Sequence, residues 1–159
     1  MKWLMIVLTV AATWTFVQGK DECPQNTVYN FYSDARLSEE TGDVLGDELA
    51  LKPTAGDFYD ALLYLYEGAP NTDGIALSGV LQGGILSLEG DWIEDLIEYP
   101  SKRHISRTQH VRLKGQMSKS RFRGSMQIGD ESSPVSLRLV THIWLCKPQT
   151  DQRPTTTNQ

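Results

Sequence analysis

Apolar residues along this chain recur mostly at every second position, the period of a half-buried β-strand and not the 3.6 of a helix. The clearest case runs from His110 to Met117. Val111, Leu113, Gly115 and Met117 share one face, and His110, Arg112, Lys114 and Gln116 share the other. Arg121 to Ile128 repeats the pattern, with Phe122, Gly124, Met126 and Ile128 set against Arg121, Arg123, Ser125 and Gln127. Ser118-Lys119-Ser120 between them is a polar tip, so the two runs predict a hairpin with one wet face. Ile75 to Gln82 alternates in the same way, Gly83-Gly84 turns the chain, and Ile85 to Glu89 follows as another strand.

Elsewhere the pattern is coarser. Residues 27–33 are rich in β-formers and predict a first strand, and a strand near residues 46–52 is stopped by Pro53. Between them, Asp34 to Gly42 is a polar connection. Phe58 to Tyr66 is the most apolar stretch beyond the N-terminal leader. Its length suits a helix, but its aromatic load and the flanking Gly56 and Gly68 favour a strand. Ala69 to Gly74 is a turn, and Val135 to Cys146 predicts the last long strand. Gly90 to Ser106 is ambiguous. Asp91 with Glu94 has the form of a capping box, and Trp92/Leu96 and Ile93/Ile97 are helically spaced, yet Trp92, Glu94, Leu96 and Glu98 also alternate. We read this stretch as an extended excursion ended by Pro100.

These elements predict an all-β domain, an antiparallel meander of about eight strands closing into a small barrel, since closure removes unpaired edges. A two-sheet β-sandwich is the alternative. Glycines at 79, 90, 115 and 124 suit strand bends at barrel corners. A barrel of this size is just wide enough for side chains or one small ligand.

The two ends of the chain are different in kind. Lys2, the apolar run from Trp3 to Phe16, and Val17-Gln18-Gly19 form a signal peptide over residues 1–19, the alternative being an uncleaved membrane anchor. The run is short for a span, which needs about 20 apolar residues, and Lys20-Asp21-Glu22 closes it with charge. The same charged residues before Cys23 argue against lipidation. A secreted or periplasmic protein is expected, with no membrane span once the leader is removed. Residues 20–147 form the β-barrel-like domain, and 148–159, almost without apolar residues, a disordered tail.

Loss of the leader leaves 14 basic and 20 acidic residues, a formal charge of −6. That balance argues against a nucleic-acid partner. The charge is uneven: residues 20–100 hold 17 acidic and 3 basic residues, and 101–159 hold 3 acidic and 11 basic. Cross-strand pairing of basic with acidic strands accounts for this, and an anion-binding patch around Arg103 to Arg123 is the other explanation. The two cysteines, Cys23 and Cys146, bracket the domain, and an oxidising compartment makes them a disulfide in preference to two free thiols.

Candidate chemistry is sparse. His104 and His110 are six residues apart, about 20 Å along a strand, too far to share one metal ion. Carboxylates cluster at Glu39, Glu40 and Asp43, and at Asp91, Glu94, Asp95 and Glu98. Solvated loop charge explains them; calcium binding or paired-acid hydrolysis are the functional alternatives. No nucleophile elbow, zinc-protease motif or phosphate-binding loop occurs, and no cofactor is expected.

The signal peptide, the meander, and paired segments such as Leu77-Ser78-Gly79-Val80 and Phe122-Arg123-Gly124-Ser125-Met126 together resemble the small secreted bacterial β-barrels of lipocalin-like or calycin-like shape, over residues 27–146. No Gly-x-Trp stands near the first strand. The resemblance implies a barrel that holds a small ligand. The functional expectation is therefore an exported, non-enzymatic binding module for a small apolar ligand or a protein partner. Its candidate binding residues are Trp92, Glu94, Tyr99 and His110. The alternative is a small hydrolase or metal-assisted enzyme that uses Glu94 or Glu98 with His104 or His110.

Overall fold

The computed structural model describes residues 23–24, 28–68 and 73–146. The expected signal peptide, residues 1–19, and the expected tail, 148–159, lie outside the described residues. Nine strands follow in order: β1 (Asn30–Ser33), β2 (Arg36–Leu37), β3 (Val44–Pro53), β4 (Phe58–Gly68), β5 (Ile75–Gln82), β6 (Ile85–Glu98), β7 (Arg103–Met117), β8 (Arg121–Ile128) and β9 (Glu131–Val140). One 3-10 turn, Trp144–Cys146, ends the described chain, and no α-helix occurs among the described residues. Each strand from β3 to β9 pairs antiparallel with the next. β1 then pairs with both β9 and β3 and closes the ring, while β2 hangs outside on β3. The result is a closed eight-stranded barrel, not a sandwich.

The period-2 pattern is what fills it. Tyr32, Leu49, Leu51, Ala61, Leu63, Ile75, Leu77, Leu86, Leu88, Val111, Leu113, Phe122, Met126, Val135 and Leu137 form one interior cluster, drawn from all eight ring strands. Outward positions such as Ser78, Glu89, Arg112, Lys114 and Arg123 are exposed. An apolar inside with a charged outer wall is the reverse of a membrane-spanning barrel. Among the described residues no helix is long and apolar enough to cross a membrane.

Glycine is required where two inward positions meet. Gly115 and Gly124 face each other across β7 and β8. A Cβ on Gly124 would sit 2.1 Å from the Lys114 carbonyl oxygen, and one on Gly115 2.3 Å from that of Arg123. The strands approach closely there, as the strong coiling of a small barrel demands.

A second apolar cluster lies outside the ring. Phe31, Val44, Ala50, Tyr64 and Tyr66 point outward from β1, β3 and β4, and Ile143 packs on them with Trp144, Leu145 and Cys146 against the cluster. This corrects the sequence expectation of a strand over 135–146. β9 is Glu131–Val140, and the chain then folds back over the outer wall because Ile143, at 1% exposure, is needed as its cover. It also explains the unbroken apolar run of β4, which is buried on both faces. Two smaller corrections follow. The first strand begins at Asn30, and the polar connection after it contains the two-residue β2.

Beneath that cover sits Glu48 of β3, at 1% exposure. The Ser33 hydroxyl donates to its Oε1 at 2.6 Å, and the Tyr66 hydroxyl and the Trp144 N–H each donate to its Oε2 at 2.7 Å. One carboxylate thus ties β1, β3, β4 and the C-terminal segment. Burial, then the hydrogen bond to Glu48 and its charge, push the Tyr66 phenol well above its ordinary value, so it stays a neutral donor. Burial chiefly, with Tyr29 and Glu48, holds the neighbouring Tyr64 at about 12. The Cys23–Cys146 disulfide, with Cα atoms 5.7 Å apart across a sequence separation of 123, fastens the chain before β1 to the chain after β9.

Glu48→Ala leaves three donors, one buried and two partly buried, without their acceptor. We expect it to lower unfolding free energy by about 3–5 kcal/mol in a denaturant titration. Glu67→Ala, at an exposed position of β4, should stay within about 0.5 kcal/mol. Equal effects of the two would contradict the role given to Glu48.

Candidate functional site

The ambiguous stretch at 90–106 is a β-ribbon. β6 and β7 run past the barrel as a two-stranded arm, paired from Asp91↔His110 to Glu98↔Arg103. Beyond Ser78↔Glu89 no strand pairs with the outer edge of β6, and beyond Val111↔Ile128 none pairs with that of β7, among the described residues. Eight cross-strand pairs give an overhang of about 24 Å. The helical spacing of Trp92/Leu96 and Ile93/Ile97 loses to pairing with β7, whose period-2 pattern extends β6 outward.

The ribbon has two faces. On the face continuous with the barrel interior, Trp92, Glu94, Leu96 and Glu98 oppose Gln109, Arg107, Ile105 and Arg103. Trp92 is partly buried against the interior cluster and caps this end of the barrel. The Gln109 side-chain amide donates to Glu94 Oε2 at 3.0 Å, and Arg103 Nε lies 3.6 Å from Glu98. On the other face, Asp91, Ile93, Asp95 and Ile97 oppose His110, Thr108, Ser106 and His104. His110 Nδ1 lies 3.0 Å from Asp91 Oδ1, and the Ser106 hydroxyl donates to Asp95 at 2.5 Å. Ile93 is 67% exposed and Ile97 48%, and Tyr99 at the tip is 77% exposed.

The structure therefore brings Trp92 and Glu94 together on one face, puts His110 on the opposite face, and carries Tyr99 to the far end. Glu94 and Glu98 are separated from His104 and His110 by the thickness of the ribbon, so the acid and histidine groups do not converge on a shared point. The carboxylate cluster is split likewise, with Asp91 and Asp95 facing away from Glu94 and Glu98. Among the described residues no group of three or more His, Cys, Asp or Glu is placed to hold a metal ion. Ile93 and Ile97 carry the exposed apolar area that attention to aromatic residues missed. Their matched i, i+4 spacing on a two-residue period was the available signal.

The rim from which the arm leaves also holds a strained acidic corner. Gly46 adopts φ +115°, and a Cβ there would meet Asp34 Oδ1 at 2.7 Å. Asp34 Oδ1 in turn accepts the Asp47 N–H at 2.6 Å. Asp47 is partly buried beside it. Desolvation, reinforced by the charges of Asp34 and Glu67, raises its carboxyl to about 6.

Compared with protein-family models, curated proteins and solved structures, the chain matches none.

The Asp47 shift has a definite sign. A carboxyl whose pKa is raised on folding stabilises the fold below its unfolded value, near 3.8, and loses that contribution as pH rises through about 6. Asp47→Asn should gain stability over the wild type between pH 4 and pH 7, by about 1 kcal/mol once partial solvent exposure is allowed for. Thermal melts of both proteins across that range check it. A difference that does not change with pH would contradict the assignment.

Proposed function

We propose that the protein is an exported, non-enzymatic binding module that engages a protein partner through the β6–β7 arm. The observation that carries this is the arm itself. A two-stranded ribbon is marginal on its own, yet this one leaves both edges unpaired and exposes Ile93, Ile97 and Tyr99. Free strand edges with alternating apolar side chains suit the addition of a partner strand, in which backbone hydrogen bonds give affinity and the side chains give specificity. Asp91, Asp95, His104 and His110 would frame the isoleucines as a polar rim.

The interior is a poorer candidate. Leu49, Leu63, Leu86, Leu88, Leu113, Phe122 and Leu137 are each at 0% exposure and belong to the one packed interior cluster. A small apolar ligand there would have to displace them. The Cys23–Cys146 disulfide supports export, since such bridges persist in oxidising compartments.

Photo-crosslinking residues placed at Ile93, Ile97 and Tyr99, in the host that exports the protein, should yield a discrete protein adduct. A variant in which Asn-Gly replaces residues 94–107 should keep its melting temperature to within about 2 °C and lose that adduct when the crosslinker stays at position 93. No adduct at any of the three positions would contradict the proposal. So would a small molecule retained by the shortened barrel in native mass spectrometry.

A further inference from the structure

Three arginines on the outer wall stand apart from the charge pairing of the rest of the sheet. Arg121 of β8 and Arg138 of β9 are directly opposite in register, and Arg123 follows Arg121 on the same outward face. Like charges directly opposed in a sheet cost stability. Two other basic side chains of the sheet have an acid within reach: Arg103 on the arm lies 3.6 Å from Glu98, and Arg112 on the wall 3.8 Å from Glu89. Among the described residues no carboxylate oxygen lies within 4.0 Å of Arg121, Arg123 or Arg138. Cross-strand pairing thus accounts for Arg103 and Arg112 on β7 and fails for the arginines of β8 and β9.

The three arginines line an open groove of about 760 Å³ at the end of the barrel opposite the arm, and no acidic residue lines it. Gln116 and Ser120 add neutral polar groups, and Ile85 and Leu139, at 37% and 46% exposure, add an apolar edge. A second groove of about 510 Å³ shares Arg121 and Arg138 but includes Asp34. That carboxylate directs an anion to the first groove.

We propose that this groove binds a phosphate ester, its oxyanion held between the Arg121 and Arg138 guanidiniums with Arg123 completing the contact. Opposed residues in a sheet are about 5 Å apart and next-but-one residues along a strand about 7 Å, so all three long side chains reach one phosphate. The planar fork of each guanidinium matches two phosphate oxygens at once. Ile85 and Leu139 lie where the organic part of an ester would follow. The chain as a whole carries a formal charge of −5, so attraction for anions comes from this cluster and not from the net charge. A soluble phosphate ester and a phospholipid headgroup share this chemistry.

The test uses the disulfide-bonded protein and inorganic phosphate as probe. At ten times its Kd, phosphate should raise the melting temperature by about 4–6 °C over sodium chloride of equal ionic strength. Arg138→Gln and Arg121→Gln should each melt higher than the wild type without phosphate, because the opposed charge is gone, and should lose the phosphate response. Arg103→Gln, at the tip of the arm, should keep it. A rise reproduced by sodium chloride would overturn the proposal, as would one that survives in the Arg121→Gln/Arg138→Gln double variant. Co-sedimentation with phosphatidylglycerol vesicles that Arg138→Gln abolishes supports the site with a lipid headgroup as the source. A phosphate response without co-sedimentation supports it with a soluble ester.

Discussion

Everything in this barrel depends on a strand of four residues. β1 makes four cross-strand pairs with β3 and three with β9, and without it the meander is an open sheet with two long edges. So short a bridge does not hold by backbone hydrogen bonds alone. Three further devices bear on it. Tyr32 joins the interior cluster while Phe31 joins the outer one, so β1 is packed on both sides. Ser33 donates to the buried Glu48, which also gathers Tyr66 and the Trp144 N–H. The Cys23–Cys146 bridge links the chain just before β1 to the chain just after β9, and so repeats the ring closure covalently. A loop of this length corresponds to about 5 kcal/mol in the chain-entropy account, an upper-end figure.

Closure also decides where recognition can occur. Eight strands enclose a space that side chains can fill, and here they do. Binding is then left to features that project from the ring or lie on its wall. They fall at opposite ends. The β6–β7 arm overhangs one end with unpaired edges and exposed isoleucines, and the arginine groove opens at the other. Trp92 marks the boundary, since it caps the barrel where the arm begins.

Much of the fold was legible in the sequence because most strands have one wet face. In Ile75–Gln82, His110–Met117 and Arg121–Ile128 the alternation separated the inward residues from the outward ones, and the glycines at 79, 90, 115 and 124, expected as bends, lie where neighbouring strands approach closely. Legibility failed where that simple rule failed. Residues 141–146 look like a continuation of β9, but Ile143 serves a second core that only the packing of β1, β3 and β4 creates. Glu48 looks like one more outward acid on an alternating strand. Its burial follows from the return of the C-terminal segment, about a hundred residues later. The candidate site was half legible: Trp92 and Glu94 share a face by parity alone, but placing His110 opposite them required the β6–β7 register. The Arg121–Arg138 opposition required the β8–β9 register, which no local pattern announces.

Amide hydrogen exchange across β1 probes the closure of the ring at its shortest strand. If the Glu48 node, the two clusters and the disulfide hold the closing strand, the hydrogen-bonded amides that join β1 to β3 and β9 should exchange as slowly as those joining β7 to β8, through global unfolding only. Fast exchange at β1, with β7 and β8 still protected, would mean that the ring opens at this seam in the native state and that β1 does not hold it closed.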